Sequence, residues 1–304
     1  MPARPPLAVA LALACLAAVL LAGCGADAAS SGGPVSVAVT RDFGARPVVS
    51  SPPVEVRGST PVLDVVDRVI GGREGSRTIT ALDGVSGDWQ LFVNGVRSDD
   101  AAAARVRPGD RLWLDLPGAD AAAPSSAVAG SFPEPFVHGV EGENVPTRVE
   151  CSDPSGAACD TVADRLTELG VVAARGGINA GVNNETLRVL VGPWSDLRVR
   201  ADNSVRAMDA GPRRSGVFAR FSADGRTLEV LDAAGREAQE LAAGTGLVAA
   251  TRLEDRQPVW FVTGTDAAGV EAAARALDEA TLTTRYALAI HDDRGIAIPA
   301  AKKG

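Results

Sequence analysis

Three short motifs place a hydroxyl side chain directly before an aspartate, each where an apolar, strand-like run ends. They are Ser152-Asp153, Ser195-Asp196 and Thr265-Asp266. If the three strands are parallel neighbours, their carboxyl ends line one crevice and these groups converge on a polar ligand. The same residue types also satisfy the free amides at the start of a helix, and helix capping is the interpretation that we favour. Ligand contact and capping both stay open for these loops.

An aromatic side chain accompanies one of these motifs. Trp194 follows Gly192-Pro193 and is a candidate for stacking on a ligand, with burial as an anchor of the loop as an equal alternative. The candidate ligand contacts in this part of the chain are Trp194, Ser195, Asp196, Thr263, Thr265 and Asp266.

Catalytic signatures are missing from the chain. GxGxxG, GxxxxGK[ST], GxSxG, HExxH and CxxC do not occur, and the two histidines, His138 and His291, are expected on the solvated surface. Hydrolytic chemistry therefore has no evident base or nucleophile. The formal net charge of -8 argues against a nucleic-acid partner. We expect neither an enzyme nor a bound cofactor or metal.

The amino terminus has the features of an export signal. Arg4 precedes an apolar stretch over residues 7–22, which ends in Leu21-Ala22-Gly23-Cys24. This resembles the lipobox of bacterial lipoproteins and implies cleavage after residue 23, diacylglycerol and palmitate on Cys24, and a cell-membrane location on the extracytoplasmic face. A membrane-spanning helix is the alternative, but the stretch is shorter than the roughly 20 residues that a helix needs. Residues 24–34 have the composition of a flexible tether.

Two further cysteines, Cys151 and Cys159, lie close together beyond the signal segment. In an exported protein such a pair is expected to form a disulfide, here between a strand end and the helix that follows. A zinc site is the alternative, but neither histidine lies at metal-ligand spacing from the pair.

Residues 35–116 alternate between strand and helix patterns. Strands are predicted at 35–39, 54–56, 78–82, 89–93 and 112–116, and a helix at 61–70 with Pro61 at its first position and Ser59 or Thr60 as its cap, with an Asn94-Gly95 hairpin turn. Two strands, a helix and further strands is the order of a β-grasp domain.

Three segments in this region carry a family resemblance. They are residues 59–66 (STPVLDVV), 89–95 (WQLFVNG) and 107–113 (RPGDRLW). They resemble the signatures of the β-grasp domain that ends transcobalamin and intrinsic factor, over about a quarter of this chain. In those carriers the domain forms one side of a corrinoid site. The resemblance therefore implies a binding module here, with Trp89, Asn94 and Trp113 as candidate contacts, although the carriers' large helical domain is not apparent.

Packing is the alternative role for two of these contacts. Trp89 and Trp113 lie on strands beside apolar neighbours, so a place in the core or at its rim is favoured over stacking on a ligand.

The rest of the chain is predicted to form a second domain. Residues 117–131 are rich in Ala, Pro, Ser and Gly and are interpreted as a linker, and Phe132 and Phe136 are apolar enough to dock on a domain surface. Over residues 132–304, strand runs at 147–151, 186–191, 217–221, 227–231, 247–251, 259–262 and 286–290 alternate with helix runs at 159–169, 237–242 and 267–280. The expected fold class is α+β: a β-grasp-like domain followed by an α/β sandwich with a mixed sheet.

The leading functional hypothesis is a surface-anchored lipoprotein that captures a solute or cofactor, such as a cobalamin-like molecule. Its partners would be the membrane, through the lipid, and a small-molecule ligand. The alternative is a non-enzymatic assembly protein that binds another envelope protein. A third class, an enzyme that uses the three hydroxyl-aspartate loops, requires those groups to lie within a few ångströms of one another.

Overall fold

The computed structural model describes residues 32–70, 72–178, 185–199, 202–254 and 256–301. The predicted signal peptide (1–23), Cys24 and the tether up to residue 31 lie outside the described residues. From Gly32 onward the chain forms one compact unit of mixed helices and sheets, which confirms the α+β class. No helix in the described ranges is long and apolar enough to cross a membrane.

The first part of this unit is a sheet with one helix on it. The elements are β1 (Gly32–Arg41), β2 (Arg46–Ser50), β3 (Val54–Arg57), β4 (Thr60–Pro61), α1 (Val62–Val69), β5 (Ile79–Leu82), β6 (Val85–Val93), β7 (Val96–Ser98), β8 (Arg105–Val106) and β9 (Arg111–Leu116). The strand order is β2-β1-β9-β6-β5, with β3 paired to β1 and β7 paired to β6, while β4 and β8 pair separately. The central strands β1 and β9 run parallel, and β9 and β6 run antiparallel.

Helix α1 covers one face of this sheet because its apolar residues recur at helical spacing. Val62, Val65 and Val66 are buried and pack with alternate residues of β6, Trp89 and Leu91. The intervening residues of β6 therefore point to the opposite face, towards the rest of the chain.

The second part contains a seven-stranded mixed sheet. Its strands are β10 (Thr147–Cys151), β11 (Ala173–Gly177), β12 (Leu187–Pro193), β16 (Gly246–Thr251), β17 (Val259–Gly264), β18 (Ala287–His291) and β19 (Arg294–Ile298). Their order in the sheet is β11-β10-β12-β17-β16-β18-β19. The first four strands of this order are parallel, and the last three join antiparallel.

Helices and a small sheet cover the two faces of this mixed sheet. The helices are α2 (Ala157–Glu168), α3 (Trp194–Val199), α4 (Asn203–Asp209), α5 (Pro212–Ser215), α6 (Ala267–Arg275) and α7 (Glu279–Leu282). The small sheet consists of β13 (Ala219–Phe221), β14 (Leu228–Leu231) and β15 (Glu237–Leu241). Helices α2 and α6 share a core with one face, and the small sheet packs on the other.

The predicted disulfide is confirmed. Cys151, at the end of β10, is bonded to Cys159 in α2, and both residues are buried. It joins a strand end to the following helix, as the sequence predicts.

Two predicted helices differ from the structure. Residues 237–242 were expected to be helical, but β15 pairs antiparallel with β14, so this prediction is wrong. Pairing with a neighbouring strand overrides the helix propensity of Glu237, Glu240 and Leu241. The helix predicted at 267–280 ends at Arg275, and Asp278 caps a separate short helix, α7, by accepting from Thr281 N.

The segment between the two sheets does not run over the surface along its whole length. Ser125 and residues 127–132 are buried, and Ala129–Ser131 form a short 3₁₀ helix. Phe132 and Phe136 pack against Trp260 of the mixed sheet. The assignment of 117–131 as a linker between domains stays a prediction.

Candidate ligand-binding site

The three hydroxyl-aspartate loops follow parallel neighbouring strands. β10 pairs with β12 and β12 pairs with β17, all parallel, so the topology brings the loops to one edge of the sheet. Their aspartates hold local structure: Asp153 accepts from the backbone and hydroxyl of Ser155, and Asp266 accepts from Gly269 N and Gly244 N at 2.9 and 2.8 Å. Capping is thus how this structure uses Asp266.

The other candidates at this edge differ in exposure. Thr263 is buried and donates to Gly192 O at 2.7 Å, and Thr265 is buried and bonded to Thr245. Ser195 and Asp196 are exposed, and their side-chain oxygens lie 3.5 Å apart. A ligand role for these residues stays a prediction, and Ser195 and Asp196 are the two whose side chains a ligand can reach without rearrangement.

Trp194 lies in the core rather than in a crevice. Its side chain is fully buried, it stacks on Phe221 with ring centroids 4.7 Å apart and planes 10° apart, and Nε1 donates to Asp209 Oδ1 at 3.1 Å. The ring holds α3 against the small sheet, which is the anchoring alternative.

Both tryptophans of the first part are buried as well. Trp89 packs beneath α1 and donates through Nε1 to Val85 O at 3.1 Å. Trp113 lies on the opposite face and donates through Nε1 to Thr40 Oγ1 at 2.8 Å. Stacking on a ligand by either ring requires movement of the surrounding core.

Asn94 organises the hairpin after β6. Its amide donates to Asp110 Oδ1 and Gly139 O, and its carbonyl accepts from Arg111 N. Asn94 adopts a left-handed conformation in the turn, and its three bonds connect that turn to the start of β9 and to Gly139. The side chain is buried and fully engaged by the protein itself.

A buried carboxylate joins the two parts of the unit. Asp115, at the end of β9, accepts from Thr40 Oγ1, Phe43 N, Gly44 N and Tyr286 Oη at 2.6 to 3.1 Å. Burial raises the pKa of Asp115, against the opposing effect of these four donors. Tyr286 also packs edge-on against the rings of Phe43, Phe92 and Trp113.

Beside this network lies a cavity of about 720 Å³, which we call the Gln90 cavity. Its walls come from β5, β6 and β7 on one side and from residues 116–119 and 121–124 on the other. The polar groups of its lining are Arg77, Thr78, Ser86, Asp88, Gln90, Arg97, Ser98 and Asp99, and the apolar ones include Ile79, Leu91, Leu116 and five alanines.

Gln90, in this lining, has a buried side-chain atom without a hydrogen-bond partner. It lies opposite Asp115 across the β6–β9 ladder, and it is 9% exposed. Its Oε1 atom is buried and has no hydrogen-bond partner. Of the buried side-chain atoms without a partner in the described part of the chain, this is the one that belongs to the lining of the cavity.

Arg97 supplies a positive charge to the same cavity. It lies opposite Phe92 on β7, its side chain is 24% exposed, and its guanidinium pairs with Asp99 at 2.7 Å. An amide and a guanidinium among alanines can orient a small polar molecule by hydrogen bonds.

Sequence reasoning missed Gln90 and Arg97. The available signal was alternation: Trp89 and Leu91 face α1, so Gln90 must share the opposite face with Phe92. A lone amide in an otherwise apolar strand is a buried polar group whose partner has to be found.

Each of the two histidines lies within hydrogen-bonding distance of another side chain. Both carboxylate oxygens of buried Glu134 bond to His138, at 2.9 Å to the backbone N and 2.5 Å to Nδ1. Burial raises the pKa of Glu134, and the bonds to His138 oppose that rise. His291 Nδ1 lies 2.8 Å from Thr245 Oγ1. Within the described ranges, no group of three or more His, Cys, Asp or Glu side chains could hold a metal ion.

Comparison with known proteins finds no matching protein family, and no curated protein matches the sequence.

Proposed function

We propose that this protein captures a small polar molecule in the Gln90 cavity and is anchored to the cell surface by a lipid on Cys24. The observation that carries the proposal is the unpartnered, buried Oε1 atom of Gln90 in the lining of a cavity of about 720 Å³. Ligand pockets commonly enclose about 300–1,000 Å³.

The energetics favour a ligand over an accidental void. A buried acceptor without a partner costs about 1–3 kcal/mol, and an apolar side chain of similar shape would remove that cost. A ligand N–H or O–H that reaches Gln90 would recover the bond. The adjacent Arg97 favours a ligand that also presents an acceptor.

The family resemblance agrees with a binding role for this sheet. The central parallel pair of β1 and β9, with α1 on one face, supports a β-grasp interpretation of residues 35–116. The segment WQLFVNG contains Gln90 and lies on β6 and its hairpin turn. The cavity is bounded by strands of this sheet and by residues 116–119 and 121–124, so the ligand would lie between them.

The anchor places this binding function at the membrane surface. The lipobox resemblance at residues 21–24 implies lipidation of Cys24, and β1 begins a few residues later, at Gly32. A lipid plus a short tether would hold the cavity outside the membrane and within reach of an importer. This placement extends the capture hypothesis to solute or cofactor uptake.

The test separates capture from assembly. The full-length protein is crosslinked in its own cells and purified, and native mass spectrometry then records what remains bound. A small molecule of defined mass supports capture. A stoichiometric protein partner without a small molecule supports the assembly alternative and contradicts the proposal.

Titration with cobalamin tests one ligand directly. If cobalamin occupies the cavity, Gln90→Met should weaken its binding at least tenfold, because the variant lacks the amide. The matched control is Gln239→Met on β15, a glutamine outside the cavity lining, which should bind like the wild type. Equal binding by both variants would place cobalamin elsewhere.

A further inference from the structure

A second cavity, of about 730 Å³, lies where the two parts of the compact unit meet. It is lined by the turn after β1, by the start of the linker segment, by the β14–β15 turn and by residues around α7 and β19. It shares two lining residues, Gly118 and Ala119, with the Gln90 cavity. We call it the Arg285 cavity.

The walls of the Arg285 cavity are held in an unusual backbone conformation. Asp42, Phe43 and Thr284 have φ values of 55–57°, in the left-handed region that residues with a side chain rarely adopt. The Asp115 carboxylate fixes the turn by accepting from Phe43 N and Gly44 N. At Gly44, which also has a positive φ, any side chain would clash with Thr284 O. Such strained conformations persist where the surrounding structure holds the backbone in place, and they cluster at binding sites.

One arginine of the lining, Arg285, has no ion-pair partner among the described residues. Three arginines and three aspartates line the cavity, and two pairs are closed: Arg46 with Asp42 at 2.5 Å and Arg236 with Asp232 at 2.9 Å. The half-buried Arg285 makes no side-chain hydrogen bond or ion pair with any described residue.

The remaining lining is largely apolar. Phe43, Ala233, Ala297, Pro299 and Ala300 contribute to it. The Phe43 ring is already fixed by edge-on contacts with Phe218 and Tyr286. An apolar body could therefore lie against these side chains while a charged group meets Arg285.

We propose that the Arg285 cavity binds a small organic carboxylate with an apolar body, a site distinct from the Gln90 cavity and independent of the function proposed for it. The planar guanidinium matches a carboxylate through two parallel hydrogen bonds. A monoanion fits better than a phosphate dianion, because Arg285 offers a single positive charge and the other two arginines of the lining are already paired with Asp42 and Asp232.

The experiment is calorimetric titration of the full chain with 2-naphthoate, with neutral 2-naphthamide and dianionic naphthyl phosphate as comparisons. We expect naphthoate to bind at least tenfold more tightly than either. Arg285→Gln should weaken naphthoate binding at least tenfold and leave naphthamide binding unchanged. Arg294→Gln, at an exposed arginine of β19 outside the lining, is the matched control and should bind like the wild type.

A second variant keeps the test decisive if Arg285→Gln does not fold. Ala297 is exposed on β19 and lines the cavity, so Ala297→Phe should fill the space and abolish naphthoate binding without disturbing the core. Gln90→Met should retain naphthoate binding, which keeps this result separate from that of the Gln90 cavity. Absence of naphthoate binding, equal affinity for naphthoate and naphthamide, or full binding by folded Arg285→Gln would overturn the proposal.

Discussion

The Tyr286 hydroxyl donates a hydrogen bond of 3.0 Å to Asp115 Oδ2, across 171 positions of the sequence. Both residues are buried, and Asp115 also holds the turn that contains Phe43 and Gly44. This bond therefore joins the first sheet to the strand that begins just after Tyr286. Because the same turn lines the Arg285 cavity, the contact stabilises the fold and shapes a candidate site.

Removal of the Tyr286 hydroxyl should weaken the junction. In Tyr286→Phe the ring keeps its contacts with Phe43, Phe92 and Trp113, while Asp115 loses one of four donors. We expect the free energy of unfolding in urea to fall by about 1.5–3 kcal/mol, the value of a hydrogen bond to a charged group. An unchanged urea midpoint would show that the bond does not stabilise the junction.

Asp115 should also leave a signature in the pH dependence of stability. Burial raises its pKa above the ordinary value of 3.8, so the folded state binds this proton more tightly than the unfolded state. The contribution of Asp115 to stability is therefore largest below about pH 4 and is lost as the pH rises through the folded pKa. Asp115→Asn should remove this component.

The measurement compares the pH curves of unfolding free energy for wild type and Asp115→Asn. The difference between the curves should change as the pH rises above 4, with the wild type losing more stability than the variant. Parallel curves would contradict the raised pKa. Burial also raises the pKa of Glu134. Because Glu134 is present in both proteins, its contribution is the same in both curves and drops out of their difference.

Arg188 compensates the charge of a fully buried glutamate. It bonds to both oxygens of Glu150 at 2.8 and 3.0 Å and to Asp202 at 2.7 Å. Arg188→Met should lower the free energy of unfolding by about 3–5 kcal/mol, because the buried carboxylate loses the positive charge and the two hydrogen bonds that Arg188 supplies. Adding Glu150→Gln should recover part of this loss. A double variant less stable than Arg188→Met alone would contradict this explanation.

The lipid anchor predicts a change of location. Cys24→Ser should abolish incorporation of labelled palmitate and move the protein from the membrane fraction to the soluble fraction, because the modified thiol is missing. The exported domain should keep its Cys151–Cys159 disulfide in both proteins, which serves as the control for export. A membrane-bound Cys24→Ser protein would point to an uncleaved spanning segment instead.

The sequence predicted local structure well where one pattern dominated. Helix α1 spans Val62–Val69 against a prediction of 61–70, and the closeness of Cys151 and Cys159 in a chain with a predicted export signal predicted their bond. It failed at β15, where glutamates and alanines favour a helix and long-range pairing with β14 decides the outcome.

The candidate site was less accessible to sequence reasoning. The sequence analysis predicted the aromatic residues Trp194 and Trp113 as candidate ligand contacts, but both side chains lie in the core. Gln90 carries no motif of its own. Its significance comes from a missing partner and an adjacent cavity, and both depend on how residues 116–124 cross the sheet.

Gln90→Met tests the capture proposal most directly, because stability and binding should move in opposite directions. The variant removes an unpartnered buried carbonyl, so the free energy of unfolding of the ligand-free protein should rise by about 1–3 kcal/mol. Native mass spectrometry of envelope-purified protein should show a bound small molecule on the wild type and none on Gln90→Met. A less stable variant that retains the same bound mass would contradict the account.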